Sequence, residues 1–589
     1  MANNKNYKGS LRLDWINKDL SLYYEIDEKQ GKGVRPVWVP KNDIRVAEPR
    51  ILRFVKSYGD PTSENMLIKG DNLLVLRSLV EIFKGKPDKE KVKCIYIDPP
   101  FNSGNAFKYY DDNLQHSEWL TMMRDRLFLL KKLLRKDGVI FVHINNEEGD
   151  YLRILMDEIF GRDFFLTKIS WQRAADTTVL GQGETPVNDV VEYILVYGSL
   201  ASLRKIFRKS TEVLEKKSFQ QYHQILKSIG TKKLLKEIEI GNNGETAKIY
   251  LHKNWEIENI SLAKFDQRFE DIYKKYKDNF KKIIRLTNPQ KENSLQQRFL
   301  KEMERDNFYS VEYTPKKGKN RGKLIEVLYY KKNIVYFLKD FAVLEKNDIY
   351  KTFPMNNFWP LVDIPATGIA KEGGIEFKRS KKPEKLIKRI LEIATEKDDI
   401  VLDSFAGSGT TGAVAHKMGR RWLMVEIGRQ AEELIIPRLQ GVIKGNDQTG
   451  VSKEVGWQGG GGFKYYKLGE SVIHEQDMNW ALKAEEMAEA VFLHFQYRPV
   501  KAEWLKKENM YLGRHQFARF HFALSFATRE VKVLTEDLYE KIIAGLDKEK
   551  FKHLTIFTNV ALAVPPESLD DRVLVKKIPA AILREYNLL

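Results

Sequence analysis

Apolar positions along the chain switch between a two-residue and a helical period, and the switching predicts alternating strands and helices. Residues 66–79 (MLIKGDNLLVLRSL) pass from a short strand through a Gly-Asp turn into helical spacing. Val92–Ile97 (VKCIYI) is a continuous apolar strand that stops at Asp98-Pro99-Pro100, because proline removes ladder donors. A loop through Asn102, Ser103, Gly104 and Asn105 follows. Helical spacing over 119–134, an Asp137-Gly138 turn, a strand over 139–144, a helix over 151–160 and a strand over 190–196 continue the rhythm. It fails from about 200 to 354 and resumes with a helix over 383–395, strand Ile400–Asp403, a glycine turn, a helix over 411–418 and strand Arg421–Glu426. The pattern predicts an α/β fold, an open and largely parallel sheet built from two separated sequence blocks.

The predicted organisation is a polar N-terminal extension (1–50), a first half of the sheet domain (51–200), an inserted domain (201–354), a second half (355–468) and a C-terminal accessory domain (469–589). The glycine run at 459–462 reads as a flexible joint. A chain of 589 residues suits several domains. With 42% hydrophobic residues it has material for packed cores, and its 31% charged residues indicate solubility. No apolar run approaches the roughly 20 residues that span a bilayer, and the first residues lack a signal-peptide core, so no membrane and a cytoplasmic location are expected.

A single cysteine, Cys94, excludes an intrachain disulfide and a multi-cysteine zinc cluster; within its apolar run it reads as strand packing. The ten histidines show no metal-ligand spacing, so no metal site is expected, and His143 reads as structural. The formal charge of +18 is uneven: residues 201–330 hold 29 basic against 17 acidic side chains, which points to a nucleic-acid contact there.

Between strand and helix, Asp403-Ser404-Phe405-Ala406-Gly407-Ser408-Gly409-Thr410-Thr411-Gly412 has the glycine spacing that lets a cofactor approach the backbone. Glu426 ends the next strand, where an acidic side chain accepts hydrogen bonds from ribose hydroxyls. Together they imply an adenosine-containing cofactor. Nicotinamide enzymes share this spacing, whereas a phosphate-binding P-loop lacks support because Thr410 and Thr411 stand where Lys-Ser/Thr is required. Asp403 also suits a cofactor with a cationic amino-acid tail.

Asp98-Pro99-Pro100-Phe101 fits one chemical problem. The lone pair of an exocyclic base amine is delocalised into its ring, so the nitrogen attacks poorly until acceptors on its two protons favour a tetrahedral geometry. Asp98 and the Pro99 carbonyl supply two acceptors, the prolines fix the carbonyl without a competing N–H, and Phe101 offers a stacking face.

These residues resemble the amino-methyltransferase family of DNA-modifying enzymes, in the β-class order with the catalytic block ahead of the cofactor block. Gly70-Asp71-Asn72, 137–144, 192–197 and 382–386 match further blocks, so the resemblance covers about 66–200 and 355–468. It implies a Rossmann-like S-adenosylmethionine-dependent methyltransferase sheet, with the insert as target-recognition domain. It also implies catalytic roles for Asp98, Pro99, Pro100 and Phe101, and a cofactor site of Asp71, Asp98, Lys385, Asp403, Phe405, Gly407, Gly409 and Glu426. The length and the added C-terminal region look most like the modification subunit of type III restriction-modification systems. That likeness implies adenine-N6 methylation of double-stranded DNA by a homodimer partnered with a helicase-nuclease restriction subunit. N4-cytosine methylation, a stand-alone adenine methylase, a DNA-binding specificity or assembly subunit, and a nicotinamide dehydrogenase are the competing readings.

Overall fold

The strand that ends at Asp98 lies near the middle of a ten-stranded sheet, in a computed structural model of the chain. The structure describes residues 11–26, 34–102, 115–175, 189–199, 202–203, 207–213, 216–240, 245–315, 322–345, 347–354, 356–366, 368–375, 381–474, 477–479, 481–483, 486, 489, 511–515, 518–522, 534–544, 553–558 and 570–577. The expected loop residues Ser103, Gly104 and Asn105 lie outside them. Two compact units divide the chain: Lys205–Met355, and Met1–Arg204 with Asn356–Leu589.

The larger unit begins with strands β1 (Leu20–Ile26), β2 (Val34–Pro40), β3 (Leu52–Gly59) and β4 (Met66–Lys69), then helix α1 (Asn72–Phe83). Strand β5 (Val92–Ile97), helix α2 (His116–Leu133), strand β6 (Leu134–Ile144) and helix α3 (Asn146–Phe160) follow. Strands β7 (Phe165–Gln172) and β8 (Val191–Gly198) precede the insertion, and the short β9 (Phe358–Trp359) follows it. Then come α4 (Glu384–Ala394), β10 (Ile400–Asp403), α5 (Thr410–Lys417), β11 (Arg421–Glu426), α6 (Ile436–Ile443) and β12 (Gly462–Leu468).

The sheet order is β9-β7-β8-β6-β5-β10-β11-β4-β12-β3, and the six strands from β6 to β12 are mutually parallel. Every residue of β5 and β10 is buried, as expected for parallel strands covered on both faces. From β5 the chain moves to β6 on one side; from β10 it moves to β11 on the other. The sheet therefore reverses its winding between β5 and β10, the place where open α/β sheets bind ligands beyond their strand ends. Register aligns Leu402 with Ile95, so Asp98 and Asp403 emerge at the same edge.

Three expectations need correction. The presumed polar extension contains a hairpin, β1 against β2, whose Leu22 and Val39 are buried in the main core beside Leu76 and Trp119. The Asp137-Gly138 turn is absorbed into β6, where the longer step from Leu134 to Val139 opposes the step from Val92 to Cys94. The glycines at 459–462 do not form a joint: they pack the chain into β12, inside the sheet. A side chain at Gly461 would come within 2.7 Å of His416, and one at Gly459 within 2.9 Å of Ile443 and Gly445 backbone. His416 Nε2 instead contacts the Gly460 carbonyl at 2.9 Å.

The Lys205–Met355 unit, where the sequence shows no clean period, is built mainly of antiparallel strands. Eight of them form one sheet, with Thr231–Glu239 at one edge and Glu256–Asn259 at the other. Helices Phe269–Asp278 and Ser294–Lys301 bury Tyr276 and Phe299 in two separate cores. Among the described C-terminal residues, four strands between Tyr511 and Lys577 form a sheet, and helix Glu536–Ala544 shares a core with its strands. No described helix is long and apolar enough to cross a membrane.

Candidate active site

Beyond the carboxyl ends of β4, β5, β10 and β11 lies a cavity of about 440 Å³. Asp71, Asp98, Asp403, Phe405, Gly407 and Glu426 of the expected site line it. Hairpin residues Tyr24, Val34 and Pro36 form another part of its wall, a contribution that sequence reading missed.

Two prolines end β5 and aim Asp98 into the cavity, with its side chain 21% exposed. The tetrapeptide is pinned from behind: buried Trp119 donates through Nε1 to the Pro100 carbonyl at 2.7 Å. The chain then turns at Asn102, whose φ of 60° is left-handed, and its amide donates to Glu148 at 2.7 Å. Phe101 is half-buried, with Lys382 Nζ 4.6 Å from its ring centre. Burial pushes the Asp98 carboxyl up, and the ammonium of Lys382, 3.3 Å away, pulls it down less strongly.

On the cofactor side, Asp403 accepts from the Thr411 hydroxyl at 2.6 Å and from the Phe405 N–H at 2.9 Å. Burial nevertheless raises its carboxyl to about 7, with Asp98 and Glu426 adding negative charge nearby. Glu426 accepts from Gly407 N–H at 2.8 Å, Gly428 N–H at 2.9 Å and Gln430 Nε2 at 2.8 Å, and burial raises it also. Gly409 does not line the cavity but starts α5 with φ 73°, and a side chain there would reach Ile435 at 2.9 Å. Beneath the turn, fully buried Arg438 donates to the Ser408 carbonyl at 3.1 Å and Thr410 Oγ1 at 2.8 Å, while Glu384 holds it at 2.8 Å.

Lys385, like Gly409, falls outside the lining, and Asp71 lies on it already engaged. Lys385 is exposed on α4, 3.7 Å from Glu454, and does not line the cavity; Lys382, just before that helix, does. Asp71 lines the cavity but is already engaged. It caps α1 through Leu73 and Leu74 N–H, accepts from Tyr24 N–H, and pairs with buried Arg126 at 2.9 Å. His143, read as structural, stands directly behind the site. Its Nδ1 is 2.9 Å from the Tyr96 hydroxyl and its Nε2 is 2.8 Å from Glu192.

The lining fits a cationic nucleoside better than a dinucleotide. Among the described lining residues five are carboxylates (Asp71, Asp98, Glu118, Asp403 and Glu426) and two are cations. Both cations are committed, Arg126 to Asp71 and Lys382 to Asp98 and Glu192, so a pyrophosphate would meet net negative charge. Ser404 Oγ and Gln430 Oε1 are buried on this lining without a hydrogen-bond partner, two positions for the polar groups of a ligand. No group of residues able to hold a metal ion occurs among the described residues.

Comparison with known proteins agrees with this geometry. The family model described as DNA methylase matches residues 92–437. A probable type III restriction-modification enzyme HindVI Mod subunit of Haemophilus influenzae is 40% identical over 433 residues, 70% of this chain and 55% of the relative. The type III StyLTI Mod subunit of Salmonella typhimurium is 28% identical over 437 residues, covering 68% of this chain and 55% of that one. The EcoP15I Mod subunit of Escherichia coli is 28% identical over 404 residues, 61% and 57% respectively. The chain thus spans a little over half the length of these relatives. Because the family model takes in the strand bearing Asp98, the whole insertion and the turn after Asp403, the chain belongs to the DNA methylase family.

Proposed function

We propose that the protein methylates the N6 amine of adenine in double-stranded DNA, with S-adenosylmethionine as methyl donor, as the modification subunit of a type III restriction-modification system. The observation that carries this reading is the juxtaposition of Asp98 and Asp403 at one edge of adjacent parallel strands, in a single anionic cavity. Bound there, the cofactor supplies an electrophilic methyl group on a sulfonium. Glu426 would hold the ribose hydroxyls and Asp403 the cationic tail, and Phe405 and Gly407 would wall the nucleoside.

A stacked adenine presents its amine too deep in the duplex for in-line attack, so the base is flipped out at a cost of about a few kcal/mol. Asp98 and the Pro99 carbonyl accept hydrogen bonds from the two amine N–H groups and turn the nitrogen lone pair toward the methyl group, while Phe101 stacks on the base. Asp98 orients more than it deprotonates, because the methylated amine is acidic enough to lose its proton to water. The main contribution is alignment of the two reactants. The insert, with its basic excess, serves target recognition, and the C-terminal region serves assembly into a homodimer and with a helicase-nuclease subunit in the cytoplasm.

Incubation with varied duplex DNAs and labelled S-adenosylmethionine, followed by nucleoside mass spectrometry, tests this. N6-methyladenine is expected, and Asp98→Ala is expected to reduce it by at least about a hundredfold while DNA binding persists. N4-methylcytosine would move the chain to the cytosine branch. No methylated base, with cofactor demonstrably bound, would overturn the proposal in favour of a specificity subunit.

A further inference from the structure

Behind the tetrapeptide, four elements and the segment before α4 converge on one buried cation. Lys382 Nζ lies 3.3 Å from Asp98 Oδ1 and 3.1 Å from Glu192 Oε2, and only 8% of its side chain is exposed. Glu192, on β8, lies 2.8 Å from His143 Nε2 on β6 and 3.3 Å from Arg173 Nε at the end of β7. His143 in turn meets the Tyr96 hydroxyl of β5. Burial holds the Tyr96 phenol well above its ordinary value, so it stays protonated and can donate to Nδ1.

This arrangement is costly. Desolvating a lysine is unfavourable, and a buried ion pair does not in general stabilise a fold beyond what apolar packing would. Lys382 also precedes Pro383, the cap of α4, where the positive end of the helix dipole opposes a cation. A position unfavourable on two counts, within reach of the tetrapeptide carboxylate, calls for a role at the site.

Resting on the methyl-transfer reading above, we propose that Lys382 is a positioning residue for that reaction. Clamped by Glu192, it keeps Asp98 an oriented carboxylate. Tethered through Oδ1, the carboxylate still lines the cavity. Without the ammonium, Asp98 and Glu192 would be like charges in a shared low-dielectric site, and one would take up a proton. A protonated Asp98 would donate where the adenine amine needs an acceptor.

The electrostatic directions agree. Burial pushes Asp98 up and Lys382 is its strongest opposing influence, followed by His143; Glu192 pushes in the same sense as burial. Burial pushes Glu192 up too, but Lys382, His143 and Arg173 outweigh it and hold it below the ordinary carboxylate range. Burial lowers Lys382, and Asp98 and Glu192 together more than restore it. Among the described residues, Asp403 at the end of the adjacent strand β10 also acts on Asp98, and Tyr96 lies on its own strand.

The test titrates Asp98 in the ligand-free protein by infrared difference spectroscopy, its carboxyl band assigned by loss in Asp98→Asn. Lys382→Met should move that titration upward by about one to three pH units, and Lys382→Arg should restore most of it. Because Lys382→Met removes the cation that two buried carboxylates share and can destabilise the fold, the double variant Lys382→Met/Glu192→Gln is measured beside it. That variant keeps the net charge of the cluster, and its Asp98 is also expected to titrate higher than in the wild type. In single-turnover methyl transfer, Lys382→Met should slow the step on the order of a hundredfold near neutral pH, recover as pH rises, and leave cofactor affinity nearly unchanged. A wild type that transfers methyl groups, with an unmoved Asp98 titration in both variants, overturns this inference alone. A wild type that transfers none overturns the function proposed above, whatever the infrared titration shows.

Discussion

At the scale of single residues, Asp403 makes the sharpest statement about pH. Its carboxyl, raised by burial to about 7, is protonated in the ligand-free protein at mildly acidic pH, whereas the role proposed for it, holding a cationic cofactor tail, needs the carboxylate. Cofactor affinity measured calorimetrically should therefore fall toward tenfold per pH unit below about 7 and level off above it, and Asp403→Asn should flatten the profile at weak affinity. Stability carries the opposite sign. The raised carboxyl contributes stability that is fully present below its unfolded value and is lost as pH rises through about 7. The ligand-free Asp403→Asn variant should accordingly melt higher than the wild type in alkaline buffer and lose that advantage in acid.

The same scale shows what a sequence conceals. Asp98 and Asp403 are legible because each ends an apolar strand at a turn that proline or glycine makes conspicuous. Lys385 and Lys382 are not told apart, because both fall in one short block and only three-dimensional packing shows which faces the cavity. The one local signal for Lys382 is a cation placed against a helix N-terminus.

At the scale of elements, strands β5, β10 and β11 have the same bounds in the sequence pattern as in the structure, since their burial is two-sided and their ends are punctuated by Asp-Pro, Asp-Ser and Glu. The hairpin β1–β2 is hidden because each strand has only seven residues and its buried positions, Ser21 to Tyr23 on one strand and Val39 on the other, follow no two-residue alternation. The glycines at 459–462 signal close approach, but a run of glycines gives no hint of whether solvent or a neighbouring helix fills the space above it.

Two glycines separate these cases experimentally. Gly409 has φ 73°, and Ile435 lies 2.9 Å from the place a methyl group would take there, so Gly409→Ala should cost about 1–3 kcal/mol and weaken cofactor binding through the displaced turn. Gly441, inside α6, has nothing within 4 Å, so Gly441→Ala should stabilise by up to about 1 kcal/mol and leave binding alone. Thermal melts and cofactor titrations of both variants check the contrast, and equal effects would remove the special role assigned to the turn.

At the scale of the whole molecule, the insertion leaves the sheet after β8 and returns at β9, two strands that flank β7. A long excursion thus re-enters beside its point of departure, so the two sequence blocks close one sheet. The division also separates charge. The cavity carries an excess of carboxylates, whereas residues 201–330 carry 12 more basic than acidic side chains. Phosphate contacts follow cationic surface, so DNA affinity should reside in the insertion and chemistry in the sheet. With cores of its own around Tyr276 and Phe299, the fragment 205–355 should fold and unfold cooperatively by itself. It should bind duplex DNA with log K falling linearly against log salt, by about 0.9 for each phosphate neutralised, and with nearly the slope of the full chain. Fluorescence anisotropy across a salt series measures both slopes. A fragment that folds yet shows no salt-dependent binding would place the DNA-holding surface on the other unit, despite its anionic cavity.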